Sequence, residues 1–401
     1  MRIAVYHNQP SGGARRALFG FCRELHRRHD VDVYSLSTAD QELLRDKDIG
    51  TGVVRFAYRP RRPIRMGLWL NDLQLERDLH DLDRLNARIA AAIDAAGYDV
   101  VLVDACRFTY APHVLRHLST PSAYYCHHGP WRVSGGLNAP TGAYDSLRRV
   151  WHLPLERRRQ RNLLESDIAM TRKADRVITN SNYSRSCIAR HYGIDAVVCP
   201  PGADVPRREQ WAREGYIVSV GALETHKGHD FLIRALATLP SAERPEIHIV
   251  ANDANATVRR RLESLASQVQ VRLVIKFRIP DDELHGELSR AALFVFGAHY
   301  EPLGLGSLEA MAHRLPVVAV AEGGVIEAVK HGVSGFLCAR DEADFGQRVL
   351  QLLRSPALRH DMGESGLKAV EQSWTWAERG AVLEGELIRL AGAKTRGLPA
   401  A

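Results

Sequence analysis

Short apolar runs alternate with longer amphipathic stretches over the first 200 residues of the chain. The pattern predicts strands at residues 2–7, 31–36, 100–103, 122–126, 176–179 and 196–199. Between these runs, apolar side chains recur at helical spacing and predict helices at residues 14–28, about 70–96 and 148–172. Apolar strands that alternate with amphipathic helices are typical of a parallel α/β sheet.

The alternation stops at Pro200-Pro201-Gly202 and then starts again. Two prolines and a glycine fit neither a helix nor a central strand, so we place a linker at residues 201–214. The second half predicts strands at residues 216–221, 246–251, 271–275, 293–296 and 316–319, and a helical tail over residues 343–389 that Pro356 divides. We therefore expect two doubly wound, Rossmann-like α/β domains that face each other across a cleft.

These boundaries give an N-terminal domain of residues 1–200 and a C-terminal domain of residues 215–375. A last helix and tail follow at residues 376–401, and the pattern leaves open whether they pack back on the N-terminal domain. In doubly wound sheets a ligand binds at the carboxyl ends of the strands. The candidate site is therefore expected in the loops that follow the strands.

Composition argues against several classes of protein. The chain is 45% hydrophobic and 25% charged, and no stretch approaches the roughly 20 apolar residues of a membrane span. Its six cysteines form no Cys-x-x-Cys pair, which argues against a zinc knuckle, a dithiol redox motif or a disulfide framework. Residues 2–6 lack the layout of a secretory signal, so we expect a cytoplasmic protein.

The net charge of +7 is concentrated in the first half. Residues 1–200 hold 30 Lys and Arg against 21 Asp and Glu, whereas the remaining residues hold 24 against 26. A nucleic-acid or membrane-binding footprint would consist of Arg55, Arg59, Arg61, Arg62 and Arg65 with Phe56, Tyr58 and Trp69. Because basic balance alone carries little specificity, we expect no nucleic-acid partner, and we leave peripheral membrane contact through this domain open.

Two strand-to-helix loops offer backbone N–H groups to an anion. Gly12-Gly13 lies between the first strand and the first helix, although the Gly-x-Gly-x-x-Gly fingerprint is absent. Lys227-Gly228 lies where a helix of the second half begins, and a lysine there can act as a point charge on a phosphate. A tight turn at Gly12-Gly13 and a solvated side chain at Lys227 are the alternatives.

Residues 296–312 form the segment richest in candidate chemistry. Glu301 lies in a loop and Glu309 on the following helix, so both carboxylates can point into one cleft, where a carboxylate suits vicinal hydroxyls. Gly304 and Gly306 offer backbone N–H groups to a negatively charged ligand. The alternative is two exposed glutamates beside a helix cap.

Two adjacent histidines, His127 and His128, follow the strand predicted at residues 122–126. Neighbouring side chains face opposite ways on a strand and no acidic cluster is close in sequence, so we expect one histidine to donate a hydrogen bond into the cleft rather than to bind a metal. A histidine of the core is the alternative. Asp281-Asp282 precedes a helix and is predicted as its cap, so no metal site is expected.

Taken in order, these motifs resemble the family 4 retaining glycosyltransferases. The segment from Glu301 to Glu309 is similar to the Glu-x7-Glu signature of that family. The other matching motifs are Gly12-Gly13-Ala14, Cys126-His127, Thr179-Asn180-Ser181 with Ser184-Arg185, Pro201-Gly202-Ala203-Asp204, Gly221 to Gly228, Gly323-Gly324 with Glu327, and Gly335-Phe336-Leu337. The resemblance implies the GT-B fold, with an acceptor-binding N-terminal domain and a nucleotide-sugar-binding C-terminal domain.

The resemblance also implies that a nucleotide-diphosphate sugar binds in the cleft as donor substrate, and that no other cofactor is needed. Lys227 would bind the diphosphate, Glu301 the sugar hydroxyls and Glu309 the ribose hydroxyls, while His127 would face the sugar from the other domain. Lys227, Glu301 and His127 are thus the expected catalytic residues. The remaining implied donor-site residues are Gly12, Gly13, Ile279, Leu303, Gly304 and Leu305.

One position departs from the family pattern. Ala222 stands where the family often has arginine, so a second cationic contact to the diphosphate is missing or comes from another residue, with Arg15 and Arg16 as candidates. Lys227 and helix N-terminal amides would stabilise the leaving diphosphate without a metal. The family retains anomeric configuration by front-side attack, in which the leaving phosphate oxygen takes the acceptor proton.

The acceptor stays open at this stage. Tyr110, His128 and Trp131 are candidate walls of its site, and a small molecule, a glycan or a lipid-linked acceptor would each fit. The base of the nucleotide is equally open between uracil, guanine and adenine. Within enzymes the alternatives are a nucleotide-sugar epimerase or a sugar phosphorylase of the same fold, and outside them a nucleic-acid or membrane-surface binding protein.

Overall fold

A parallel β-sheet forms the centre of the N-terminal half in the computed structural model, which describes residues 1–42, 44–61, 68–127, 145–206, 214–252 and 255–395. Its strands are β1 (Arg2–Asn8), β2 (Asp30–Leu36), β3 (Gly52–Phe56), β4 (Val100–Cys106), β5 (Ser122–Cys126), β6 (Arg176–Thr179) and β7 (Val197–Val198). They are arranged in the order β3-β2-β1-β4-β5-β6-β7. The helices of this half are α1 (Gly13–His26), α2 (Leu68–Ala96), α3 (Asp145–Thr171) and α4 (Asn182–Tyr192).

A second parallel sheet forms the centre of the C-terminal half. Its strands are β8 (Ile217–Val220), β9 (Ile247–Ala251), β10 (Leu273–Phe277), β11 (Leu293–Phe296), β12 (Val317–Val320) and β13 (Gly335–Cys338), in the order β10-β9-β8-β11-β12-β13. Its helices are α5 (His229–Ala237), α6 (Ala256–Gln268), α7 (Asp281–Arg290), α8 (Leu305–Ala312), α9 (Val325–Ala328), α10 (Glu342–Arg354) and α11 (Pro356–Ser373). The final helix, α12, spans Trp376–Thr395.

Burial on both faces explains why the strands were visible as apolar runs. Every residue of β4 is buried, and so are all residues of β1 except the first. Separate apolar clusters cover the two faces of each sheet. Helices that cover both faces of a parallel sheet require apolar side chains at successive positions, which gives continuous apolar runs rather than alternation.

Two strands of the structure, β3 and β13, were not predicted from the sequence. β3 is an edge strand on which Val53 and Val54 are both exposed, so it lacks the buried apolar run that marks its neighbours. β13 has four residues and begins with Gly335, so its apolar run is too short to stand out, and only a family motif marks this segment. The helix break at Pro356 is confirmed, because this proline begins α11 after the N-cap Ser355.

The last helix packs on the N-terminal domain. Its first residue, Trp376, contacts Phe21 of α1 with the ring centroids 5.5 Å apart and the planes near perpendicular. Leu383, Leu387 and Leu390 of α12 belong to the same buried cluster as the apolar face of α1. Residues 376–395 thus cross back from the C-terminal domain to complete the core of the N-terminal one.

The close approach of α1 and α12 gives a stability prediction. A Cβ atom on Gly20 would lie 2.3 Å from the Trp376 ring, so Gly20→Ala forces the two helices apart. We expect a loss of about 1–3 kcal/mol in unfolding free energy, measured by thermal or urea unfolding. Gly385→Ala, in α12 with no atom within 4 Å of the added carbon, is the matched control. A Gly20→Ala protein as stable as this control would contradict the packing described.

Part of the basic and aromatic segment at residues 55–69, considered above as a nucleic-acid or membrane-binding surface, is buried. Tyr58 is buried, its hydroxyl donates to the Asp78 carbonyl at 2.9 Å, and its ring packs on Phe108. Arg61 pairs with Asp81 at 2.8 Å. Arg62 and Arg65 lie outside the described residues, as does the side chain of Trp69. Tyr58 is therefore not available to stack on a base.

Among the helices of the described residues, none combines the length and the apolar character of a membrane-crossing segment.

Candidate functional site

Each of the two sheets has a crevice at the point where its strand order changes direction. The order reverses between β1 and β4 in the N-terminal sheet and between β8 and β11 in the C-terminal sheet. Doubly wound sheets bind ligands at such reversals, outside the carboxyl ends of the strands. The loops after β1, β8 and β11 face one another there across an open cleft with a cavity volume of about 250 Å³.

Most of the predicted site residues line this cleft. They are Gly12, Gly13, His127, Lys227, Ile279, Glu301, Leu303, Gly304, Leu305 and Glu309. Tyr110 lies in a tight turn after β4, with φ of 59° and backbone hydrogen bonds to Cys106, and it is not among the lining residues. His128 and Trp131 lie outside the described residues. Acceptor binding by these three residues stays a prediction.

Lys227 and Glu301 form an ion pair at the centre of the cleft. Lys227 Nζ donates to both carboxylate oxygens of Glu301, at 2.8 and 2.7 Å. The lysine is placed by Gly228, whose φ is +66° and on which a Cβ would lie 1.9 Å from the Gly297 carbonyl oxygen. Burial lowers the pKa of the adjacent His229 to about 4, so that ring stays neutral at pH 7. Lys227 therefore brings the positive charge of this loop.

Glu309 lies on α8 and is paired with a cation from the opposite domain. Arg16 of α1 has Nε 3.4 Å from Glu309 Oε1, and its Nη2 donates to Asp281 Oδ1 at 2.7 Å. Burial raises the pKa of the Glu309 carboxyl, while the charge of Arg16 acts in the opposite direction. Asp281 is the first residue of α7 rather than its cap, which is Pro280. The predicted cap at Asp281-Asp282 was thus wrong by one position.

Two helix N-termini open into the same cleft. α1 begins at Gly13 after Gly12, and α8 begins at Leu305 after Gly304, whose φ is +83°. Among the described residues, no side chain caps either helix. The first N–H groups of a helix lack intrahelical partners and carry partial positive charge, so both ends favour an anion.

Behind His127 stands a carboxylate that the sequence analysis did not single out. Asp104, at the end of β4, is 1% exposed and lies 3.0 Å from His127 Nε2. The same carboxylate accepts a hydrogen bond from Gln9 Nε2 at 2.7 Å. Gln9 and His127 both line the cleft, so Asp104 fixes two of its side chains. The available signal was an aspartate interrupting the apolar run Val100–Cys106.

Arg15 and the family motif at Gly323-Gly324 both lie outside the cleft lining. Arg15 does not reach the cleft: it is 1% exposed and donates to Asp46 Oδ1 at 2.9 Å. The glycines at 323 and 324 do not line the cleft either, and instead Gly324 N–H donates to the Glu301 carbonyl at 2.8 Å. Among the described residues, no group of three or more His, Cys, Asp or Glu side chains is arranged to hold a metal ion.

Contacts across the cleft hold the two domains together. The Glu327 carboxylate accepts the backbone N–H groups of Asn182 and Tyr183, at 2.9 and 2.8 Å, at the start of α4. Ser181 Oγ donates to the Pro302 carbonyl, next to Glu301. The loop that carries Glu301 is thus tied directly to the N-terminal domain. In the sequence, Glu327 is marked only as part of a family motif.

Comparison with protein families covers almost the whole chain. A model described as Glycosyltransferase Family 4 matches residues 11–207, and one described as Glycosyl transferases group 1 matches residues 206–369. D-inositol 3-phosphate glycosyltransferase of Geodermatophilus obscurus is 31% identical over 229 residues, which are 51% of this chain and 50% of that protein. The chain thus spans about half the length of the curated relatives it matches.

Solved structures share the two-domain architecture. Sucrose-phosphate synthase from Thermosynechococcus elongatus has a TM-score of 0.74 at 19% identity, with 98% of this chain and 99% of that chain covered. HepE of Anabaena in complex with UDP-glucose has a TM-score of 0.66 at 16% identity, covering 96% and 99%. At this level of identity the likeness concerns the fold, which is two Rossmann-like domains across a cleft. Since the two family models together match residues 11–369, the chain belongs to the family 4 glycosyltransferases of GT-B fold.

Proposed function

We propose that this protein transfers a sugar from a nucleotide-diphosphate sugar to an acceptor hydroxyl, with retention of anomeric configuration and without a metal ion. The observation that carries the proposal is the meeting of Lys227, Glu301 and Glu309 in one cleft with Gly12-Gly13 and His127 of the opposite domain. Two carboxylates and a cation in one cleft suit a ligand that has hydroxyl groups at each end of a diphosphate.

The charges in the cleft support this chemistry. As the bond between the sugar C1 and the phosphate oxygen breaks, negative charge grows on the leaving diphosphate. Lys227 and the N-termini of α1 and α8 line the cleft in which this charge would develop, so they would stabilise it electrostatically. In the proposed step the acceptor oxygen bonds to C1 on the face that the diphosphate leaves. The acceptor proton passes to the departing phosphate oxygen, so no protein base is required.

The names of the similar proteins suggest which substrates to test first. HepE was solved with UDP-glucose, and the relative from Geodermatophilus obscurus is named for D-inositol 3-phosphate. We therefore take UDP-glucose as the first donor and inositol phosphate as the first acceptor, with GDP- and ADP-sugars as further donors. A sugar phosphorylase would form product without a nucleotide-sugar, and an epimerase would convert the nucleotide-sugar without an acceptor. Product analysis under each of these two conditions therefore distinguishes both alternatives from a glycosyltransferase.

A ligand screen followed by a transfer assay tests the proposal. A donor nucleotide at 100 times its dissociation constant should stabilise the fold by about 2.7 kcal/mol, seen as a rise in melting temperature. Transfer should persist in EDTA, and NMR of the anomeric proton should show the donor's configuration in the product. Stabilisation by none of the UDP, GDP and ADP sugars would overturn the donor assignment. Strict dependence on a divalent ion or inversion at C1 would overturn the corresponding part of the mechanism.

A further inference from the structure

Arg16 and Lys227 are the two Arg or Lys side chains among the described residues that line the cleft. Both are neutralised in the structure. Lys227 is held by the two oxygens of Glu301, and Arg16 by Asp281 and Glu309. A nucleoside diphosphate brings at least two negative charges to this cleft. Lys227 alone cannot balance them, because its own charge is already balanced by Glu301.

The structure distinguishes between the neighbouring arginines of α1. The Arg15 guanidinium is buried beside Asp46 and His7, away from the cleft. Arg16 lies one helical turn after the Gly12-Gly13 loop, and its N–H bonds to the Gly12 carbonyl at 3.0 Å. A diphosphate at the N-terminus of α1 would therefore lie within reach of the Arg16 side chain.

The two partners of Arg16 differ in the strength of their contacts. The hydrogen bond to Asp281 is 2.7 Å long, whereas the ion pair with Glu309 is 3.4 Å long and is the weaker of the two. Glu309 is also the carboxylate that the proposed function gives to the ribose hydroxyls. A ribose bound there competes with Arg16 and removes one of its counter-charges.

We propose that Arg16 changes partners when the donor binds: the ribose hydroxyls take Glu309, and the guanidinium turns to the diphosphate as its second cation. Ala222 lines the cleft on the C-terminal side and offers no charge there, so the cation comes from the N-terminal domain instead. Because Arg16 and Lys227 belong to opposite domains, a diphosphate held by both links the domains and favours the closed cleft. This inference rests on the proposed function.

Calorimetry with a nucleoside and its diphosphate tests the exchange. Arg16→Ala should weaken binding of the diphosphate, taken as UDP unless the screen identifies another base, by about ten- to hundredfold. Binding of uridine should be unchanged or stronger, because Glu309 is then free of its competitor. Equal weakening of both ligands would show that Arg16 only positions Glu309 and would overturn the exchange. Unchanged UDP binding would overturn it as well.

A second variant makes the test independent of folding effects. Adding Ala222→Arg to Arg16→Ala should restore most of the UDP affinity, since a cation then returns on the other wall of the cleft. Arg23→Ala is the matched control, because Arg23 lies on the same helix and pairs with Asp204 outside the cleft lining. UDP affinity that Ala222→Arg does not raise would overturn the diphosphate role. Wild-type protein that binds no nucleoside diphosphate would overturn the proposed function itself.

Discussion

Glu301→Ala should lower the rate of sugar transfer by about 10²–10⁴-fold, since the change removes charge-assisted hydrogen bonds of about 1.5–3 kcal/mol each. The carboxylate holds Lys227 through two hydrogen bonds and is assigned to the sugar hydroxyls. Lys227→Ala should reduce transfer by about 10²–10³-fold, because the charge that faces the leaving diphosphate is lost. Initial rates at saturating donor measure both effects.

The pairing of the two side chains supplies an internal check. Since Lys227 and Glu301 act as one unit, the double variant should be little worse than the poorer single variant. Lys276→Ala removes a lysine paired with Glu287, outside the cleft lining, and should leave transfer unchanged. Thermal unfolding of all four proteins verifies that the fold survives. Near-wild-type rates in both single variants would rule out the assigned site.

Burial decided which parts of the fold could be predicted from the sequence. β5, β6 and β11 were placed with their observed bounds, because a strand covered on both faces shows as an apolar run between turns. β3 was missed because an edge strand with exposed Val53 and Val54 has no such signature. Strand pairing and the return of α12 to the first domain depend on contacts between residues far apart in the chain.

In the candidate site, too, the residues that could be predicted are those that a local sequence pattern marks. Glu301, Glu309 and Lys227 were singled out because each lies in a glycine-containing segment that follows a strand. The roles of Asp104 and Glu327 could not be deduced, because their partners are His127 and the start of α4. No local sequence pattern predicts that an aspartate of β4 contacts a histidine that follows β5. Tertiary contacts, and not residue spacing, define how these side chains are held.

Asp104→Asn should lower kcat by about 10²-fold while the KM for the donor changes little, as expected for a loss of positioning in the transition state. The carboxylate holds both His127 Nε2 and Gln9 Nε2 at the wall of the cleft, from a site that is 1% exposed. An asparagine keeps the shape but replaces one acceptor oxygen with a donor amide, so it cannot accept from both neighbours in the same way. The imidazole then loses its fixed orientation and tautomer.

The comparison of kcat with thermal stability separates this positioning role from a structural one. Loss of the fixed orientation of His127 should lower kcat in a protein of unchanged melting temperature, an effect that lost packing would not produce. Asp167→Asn is the matched control: Asp167 is 3% exposed in the same domain, but accepts the Ala111 N–H, so its loss should reduce stability and leave kcat unchanged. His127→Ala should remove most of the further effect of Asp104→Asn, because Asp104 acts through that ring. An Asp104→Asn enzyme that is less stable but retains full kcat would limit Asp104 to a structural role.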